Sequence, residues 1–106
     1  MQDEHWSRGE KAIARRAYDQ AHSRELSALA DEVRRRADRI TEPHHIWELH
    51  DFLSRKRKEI DQKYDYRYSQ LVFVFARLIR DGWMSEDDLT GLADEKLAKI
   101  RFMLQM

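Results

Sequence analysis

The chain has 106 residues, 38% of them charged, and its 20 basic residues are balanced by 20 acidic ones. This balance argues against general affinity for nucleic acids or anionic membranes, and the lack of cysteine excludes disulfides and thiolate metal sites. Three glycines, one proline and many strong helix formers favour a single domain built from a few long helices.

The N-terminus and the longest apolar run bear on location. The first residues are acidic and are not followed by the apolar segment of a signal peptide. The longest unbroken apolar stretch, residues 71–76, is far shorter than the roughly 20 residues that span a bilayer. We therefore expect a soluble cytoplasmic protein with no membrane insertion.

The first predicted helix runs from about residue 6 to residue 40, a span without proline in which Gly9 is the single glycine. Apolar side chains in its second half are spaced by three and four residues. This spacing is typical of a narrow, heptad-like seam rather than a broad core-facing stripe. The seam residues are Leu26, Leu29, Val33, Ala37 and Ile40.

A second helical pattern begins near Thr41, a candidate N-cap, and Pro43, which fits a first turn. It continues to Ile79, with a kink expected at residues 64–68 because aromatic and acidic residues lower helix propensity there. Two helices of roughly 30 residues would each extend about 45 Å, longer than a compact chain of this size. A hairpin of two such rods leaves apolar surface uncovered, so we predict a homodimer built on these helices.

Turn signals divide the C-terminal third into short helices. Gly82 suits the left-handed position past a helix end, and Ser85 followed by acidic residues is typical of an N-cap. We expect a short helix near residues 85–90 and a final helix from about 92 to 104. The side chains expected to be buried there are Leu92, Leu97, Ile100, Phe102 or Met103, and Leu104.

The predicted fold class is therefore all-α. Two long helices form a hairpin stem, which is also the dimerisation region, over about residues 6–70. A small C-terminal helical head occupies about residues 71–104, where the apolar cluster at 71–79 packs with the short helices. The whole chain is expected to be one homodimeric domain.

Two neighbouring strips run along the second helix when residues 46–60 are placed at about 100° per residue. One is an apolar seam consisting of Ile46, Leu49, Leu53 and Ile60. The other, here called the rim stripe, spans about 120° and consists of Trp47, His50, Asp51 and Arg57. Tryptophan and arginine are enriched at binding hot spots, so the rim stripe is a candidate partner-binding surface beside a dimer interface. The residues assigned to that interface are Ile46, Trp47, Leu49, Leu53, Arg57 and Ile60.

A plainer interpretation of the rim stripe stays open at this point. Trp47 could belong to the dimer core, and Arg57 could be solvated. Asp51 could pair with Arg55 along the helix, since residues three or four apart are neighbours on a helix surface. Periodicity alone does not separate these alternatives.

The residues from Ile46 to Ser54, and the motifs after them, resemble the fluorescence recovery protein family. The run from Trp47 to Arg67 has the order W-x-L-H-D-F-L-S-x-K-R-x-E-I-D-x-K-Y-D-x-R, and F-V-F-A follows at residues 73–76. The likeness covers about residues 46–100. It implies a non-enzymatic all-helical dimer, with a stem and a small head and without a cofactor.

The resemblance also implies a partner and a place in the cell. The family binds the orange carotenoid protein through the C-terminal domain that light exposes. It speeds the return of the red, quenching form to the orange, inactive form and helps to detach it from the phycobilisome, so that fluorescence recovers. A location beside the thylakoid-associated phycobilisome of a cyanobacterium is therefore implied.

Individual residues take roles from the same resemblance. The rim stripe residues match family positions tied to dimerisation and activity, and Ile46 matches an aliphatic seam position. Phe73 and Lys99 match head positions that contact the carotenoid protein. Whether the rim stripe holds the dimer or touches the partner stays open, as do a buried Phe73 and an ordinary solvated Lys99.

Other functions fit less of the chain. The arginine-rich first helix departs from the family pattern and leaves open a dimeric adaptor that serves a different protein. Basic runs at residues 34–36 and 55–58 would suit nucleic acid, but interleaved acidic residues reduce their net charge. His44, His45 and Glu48 lie near a helix start, where such residues are usually exposed rather than metal-bound. With no nucleophile–base pair or glycine-rich phosphate loop, neither an enzyme nor a cofactor or metal is predicted.

Overall fold

The structure is a computed structural model that describes residues 5–106. In this part of the chain every regular element is a helix, which confirms the all-α prediction. The elements are α1 (Arg8–Asp38), α2 (Pro43–Lys63), α3 (Leu71–Arg80), a 3₁₀ helix (Glu86–Leu89) and α4 (Asp94–Leu104). None of the described helices combines the length and the apolar character that crossing a membrane requires.

Helix α1 begins at a capping box that the sequence provides. The hydroxyl of Ser7 accepts a hydrogen bond from the backbone N–H of Glu10 at 3.1 Å, and the Glu10 carboxylate accepts one from the N–H of Ser7 at 3.0 Å. Each such cap contributes about 1 kcal/mol to helix stability. The helix then runs for 31 residues, close to the predicted span, and makes the molecule 53 Å long and 27 Å wide.

Helix α2 is shorter than predicted. It starts at Pro43 with Glu42 rather than Thr41 as its N-cap, and it ends at Lys63 after 21 residues. The following residues leave the helix and place two tyrosine rings on α1. The ring of Tyr18 meets those of Tyr64 and Tyr66 edge-on, at 5.4 and 4.8 Å between centroids. The expected kink is therefore a break, because these contacts with α1 outweigh continuation of the helix.

The hydrophobic core lies at one end of the molecule and includes the first half of α1. Small side chains on α1 let the head helices approach closely: Ala14, Ala17 and Ala21 are all fully buried. They pack with a head cluster made of Leu71, Phe75, Leu78, Leu89, Leu92 and Ile100. The predicted boundary near residue 70 therefore does not follow the packing, since the N-terminal half of α1 belongs to the head. The second half of α1 and α2 form the stem.

The C-terminal elements follow the turn signals closely. Gly82, just past α3, has φ of 87°, and the 3₁₀ helix has Ser85 as its N-cap. Helix α4 starts at Asp94, two residues later than predicted. Leu92 and Ile100 are buried as expected, whereas Leu97, Met103 and Leu104 are half-buried. Phe102 is 66% exposed, so of the two alternatives Phe102 and Met103 it is Met103 that packs against the core.

A buried polar group joins the stem to the head. Lys63, in the last turn of α2, lies 2.8 Å from the Glu25 carboxylate of α1 and 3.3 Å from Asp81, which follows α3. The Tyr64 hydroxyl donates to the same Glu25 carboxylate at 2.8 Å. Burial and this hydrogen bond raise the pKa of Tyr64 far above its ordinary value. The end of α2 is thus tied to both α1 and the head.

Candidate protein-interaction surface

The rim stripe lies on one uninterrupted stretch of α2, as predicted for residues 46–60. Trp47 is 66% exposed and the neighbouring seam residue Ile46 is 51% exposed. Covering a large apolar side chain of this kind contributes about 1.5–3 kcal/mol. Two such side chains side by side on a polar helix are typical of a surface that another protein covers.

Three members of the rim stripe form a contiguous group. The rings of Trp47 and His50 meet edge-on, with centroids 6.3 Å apart. The Nδ1 atom of His50 lies 3.4 Å from the Asp51 carboxylate. Within the part of the chain that the structure describes, Asp51 makes this contact and forms no ion pair with Arg55.

Arg57 stands apart from that group. Its guanidinium lies 3.8 Å from the Asp61 carboxylate, one turn further along α2, and its side chain is 85% exposed. An ion pair this exposed contributes at most about 1 kcal/mol to stability. Arg57 is therefore available to a partner at little cost.

The predicted apolar seam divides into an outer and an inner part. Ile46 is exposed and Leu49 and Leu53 are half-buried, so these three face outward or sit at the edge of α1. Ile60 is only 6% exposed, and it lines a cleft of about 420 Å³ with Leu29 of α1 and Trp83 of the head. Its assignment to the dimer interface is corrected, because α1 and the head already cover this end of α2.

Phe52 takes the inner position that the seam did not include. It is 8% exposed, and the guanidinium of Arg36 lies 3.6 Å from the centre of its ring. Spaced eight residues apart, Phe52 and Ile60 mark the face of α2 that packs on α1. The rim stripe is consequently free of the contacts that hold the hairpin together.

The apolar seam predicted on α1 is also incompletely covered. Leu26 is 41% exposed, Leu29 and Val33 are half-buried, and Ala37 is exposed. A hairpin of two helices has no third layer to cover these side chains. The stem therefore presents apolar surface from both helices.

The head places its two predicted contact residues at the surface. Phe73 on α3 is 58% exposed, which answers the open question of its burial, and Lys99 on α4 is also exposed. Phe73 lies at a groove of about 400 Å³ between α3 and the end of the chain. The other residues lining this groove are Ala76, Arg77, Arg80, Met103 and Met106. An apolar floor beside two guanidinium groups suits a protein surface that carries carboxylates.

Of the two histidines at the start of α2, His45 is placed for capping. The rings of His44 and His45 lie 4.4 Å apart, and Nδ1 of His45 accepts hydrogen bonds from the N–H groups of Thr41 and Glu42. Across residues 5–106 no group of three or more metal-ligating side chains comes together. We therefore assign His45 a structural role, in which it stabilises the turn between α1 and α2.

A buried ion pair in the head was missed by the sequence analysis. Lys96 and Glu10 are 1% and 8% exposed, and Nζ of Lys96 lies 3.2 Å from the Glu10 carboxylate. Burial opposes ionisation of Glu10, but the N–H groups of Ala93 and Ser7 together with Lys96 lower its pKa to about 2. The spacing of Ser7 and Glu10 is a capping-box signature that could have identified Glu10.

Comparison with known proteins gives one consistent family. The model of the family described as "Photoprotection regulator fluorescence recovery protein" matches residues 6–104. The fluorescence recovery protein of Synechocystis sp. (strain ATCC 27184 / PCC 6803 / Kazusa) is 43% identical over 101 residues. That match covers 95% of this chain and 93% of the relative.

Solved structures agree with this result. The fluorescence recovery protein of Fremyella diplosiphon superposes with a TM-score of 0.91 at 51% identity. The protein from Synechocystis sp. PCC 6803 superposes with a TM-score of 0.91 at 42% identity. Each comparison covers 96% of this chain and 100% of the solved one. The likeness thus extends over stem and head together.

Proposed function

The chain belongs to the fluorescence recovery protein family, and from this premise we propose that it returns the photoactivated orange carotenoid protein to its inactive form. It binds the C-terminal domain of the red form, speeds reversion to the orange form and so restores phycobilisome fluorescence. The observation that carries the proposal is the family match over residues 6–104 of a chain whose rim stripe is exposed to solvent. The protein acts by binding, without a catalytic centre or a cofactor.

The working form is a homodimer joined through the stem. Ile46 and Leu26 are each more than two-fifths exposed in the single chain, although both are large aliphatic side chains. A second copy covers them by packing its own stem against the same face. Two-fold symmetry brings the same surface of both subunits together, so each exposed seam residue contributes once from each subunit.

The rim stripe works at the border of this interface. Trp47 directly follows Ile46 and supports the dimer, with Arg57 on the same side of α2. His50 and Asp51 form a polar pair on the same stripe, and this pair contacts the partner. Helix α2 therefore contacts both the second subunit and the carotenoid protein.

The head supplies the second contact with the carotenoid protein. Phe73 gives an exposed apolar anchor and Lys99 an ammonium group that pairs with a carboxylate. Anchors of this kind dominate the binding energy of many interfaces. The stem and the head together can hold two parts of one partner.

Binding of this kind accelerates a conformational change. A protein speeds relaxation when it binds the route back more tightly than either end state. Holding one domain while tethering the other raises the effective concentration of the second domain. Lowering the barrier by about 1.4 kcal/mol makes the return ten times faster. The compact orange product must bind weakly, so that the dimer is released.

The place of action is the cytoplasm, beside the thylakoid-associated phycobilisome. This follows from the partner, since the red form has to be detached from the antenna before fluorescence recovers. No direct insertion into the membrane is required.

The test is a dark-recovery assay with purified components. Photoactivated orange carotenoid protein is mixed with this protein, and the red-to-orange change is followed by absorbance. We expect recovery to accelerate several-fold and the red form to co-elute with the dimer on gel filtration. Absence of both acceleration and co-elution would contradict the proposal and favour a dimeric adaptor for a different protein.

A further inference from the structure

Lys96 is the most buried charged side chain in the described part of the molecule, with 1% of its surface exposed. It lies in the first turn of α4. Its ammonium group contacts the Glu10 carboxylate, donates to the carbonyl oxygen of His5 at 2.5 Å, and lies 4.9 Å from the centre of the Trp6 ring. An ammonium group is costly to bury unless it is paired and hydrogen-bonded. The segment at the start of α1 supplies all of these partners.

Glu10 serves the N-termini of two helices at once. Its carboxylate accepts from the N–H of Ser7, the N-cap of α1, and from the N–H of Ala93, the N-cap of α4, at 2.9 Å. A carboxylate near helix N-termini is stabilised by the positive ends of both helix dipoles. One side chain thereby joins the beginnings of α1 and α4.

Helix α4 is held against the core by two fully buried side chains and by the half-buried Leu97, Met103 and Leu104. The buried side chains of its 11 residues are Lys96 and Ile100. By comparison, α3 buries six apolar side chains over 10 residues. Lys96 and Ile100 are thus the fully buried side chains of α4, and Lys96 is the one that a directional ion pair orients.

That rotation decides where Lys99 leaves the helix. Lys99 follows Lys96 by three residues, which places it about 60° around the helix from the buried ammonium group. Lys99 is exposed, and in the proposed function it acts together with Phe73 on α3. A turn of α4 would move Lys99 relative to Phe73 without changing either residue.

We propose that Glu10 and Lys96 are positioning residues for partner binding: their buried pair sets the rotation of α4 and with it the place of Lys99 relative to Phe73. The proposal rests on the proposed function, in which the head contacts the orange carotenoid protein. Neither residue touches the partner, and both act through α4.

The first test is independent of the partner. Amide hydrogen exchange is measured on the full-length protein for Lys96→Met, Glu10→Gln and Lys99→Met. In the first two variants we expect amides in the last two turns of α4 to exchange at least about ten times faster, while those of α3 keep their protection. Lys99→Met should match the wild type. Unchanged protection of α4, or equal loss in α3 and α4, would overturn the proposal.

The second test separates positioning from general damage. The rate of dark recovery is titrated against protein concentration, with light scattering to confirm the dimer. Lys96→Met should need roughly ten times more protein for half of the effect, yet reach the wild-type rate at saturation. Arg16→Met, which removes an exposed cation from α1 outside the rim stripe, is the matched control and should behave as wild type.

The possible results keep the two proposals distinct. Glu10→Gln retains the shape of the side chain and should give the same direction of change with a smaller size, even if Lys96→Met folds poorly. An unchanged half-saturating concentration in both variants would refute the positioning role. A wild-type protein that fails to accelerate recovery would refute the proposed function, while the exchange data would still decide whether the pair sets α4.

Discussion

The ammonium group of Lys63 lies 2.8 Å from the carboxylate of Glu25, 38 residues earlier in the chain. Both side chains are about nine-tenths buried, and the pair fixes the last turn of α2 against the middle of α1. Because the Tyr64 hydroxyl also donates to Glu25, one carboxylate has two buried donors. This group sits where the stem meets the head.

Loss of the Glu25 carboxylate should therefore be costly. Glu25→Ala leaves Lys63 and the Tyr64 hydroxyl without this acceptor, and we expect a loss of about 3 kcal/mol in the free energy of unfolding. Urea unfolding followed by circular dichroism measures it. Glu59→Ala is the matched control, because its pair with Lys56 is exposed and should contribute less than about 1 kcal/mol. Equal losses in the two variants would show that the buried Lys63–Glu25 pair contributes no more to stability than an exposed ion pair.

Glu10 should make the head sensitive to acid. Its pKa is lowered to about 2 in the folded chain, against an ordinary value of 4.5. The ionised carboxylate thus adds stability above pH 4.5, and this contribution is lost as the pH falls from about 4.5 towards 2. The difference in unfolding free energy between wild type and Glu10→Gln should shrink by about 2 kcal/mol over that range. A difference independent of pH would contradict this assignment.

Gly91 occupies a position that other residues cannot adopt easily. Its φ is 107°, and an added Cβ would lie 2.6 Å from Cδ1 of Ile13. Gly91→Ala should lower the unfolding free energy by about 1–2 kcal/mol, since the backbone strain remains even if Ile13 moves. Gly9→Ala, in the first turn of α1 with open space around it, should instead raise stability by about 0.5 kcal/mol. Melting temperatures of the two variants provide the comparison.

The parts of the fold that the sequence predicts are those where local signals agree with packing. The spacing of Ile46, Leu49 and Leu53 predicts a continuous helix, and this stretch of α2 is continuous. Here the local pattern is enough to determine the structure. The break after Lys63 was predicted only as a kink, since it depends on contacts of Tyr64 and Tyr66 with a helix more than 40 residues away.

The buried charges show the same limit at the level of single residues. Charged side chains are seldom fully buried unless they are paired, so a lone lysine in a helix is expected at the surface. Lys96 nevertheless lies four residues after Leu92 and four residues before Ile100, and both of these apolar side chains are buried. That spacing could have indicated its burial, but its partner Glu10 lies 86 residues away and no local pattern identifies it.

The proposed homodimer predicts a clear response to a charge in the outer seam. Ile46→Glu should place a carboxylate in an apolar interface and give monomers, because an unpaired charge is costly to bury. Gln62→Glu introduces the same group about 160° around α2 and should leave the dimer intact. Light scattering after gel filtration reports the mass of each variant. A dimeric Ile46→Glu would place the interface elsewhere on the stem.

The proposed contacts of the head with the partner predict loss of activity without loss of dimer formation. Phe73 is 58% exposed, so Phe73→Ala leaves no cavity and should change the unfolding free energy by less than about 1 kcal/mol. Removing an apolar anchor from an interface typically costs about 2 kcal/mol in binding, so the protein concentration that gives half-maximal dark recovery should rise by about thirtyfold. Phe102→Ala is the matched control, because Phe102 is exposed to a similar extent on the same head. Comparable weakening in both variants would mean that the partner reads general hydrophobicity of the head, whereas weakening confined to Phe73→Ala assigns the contact to α3.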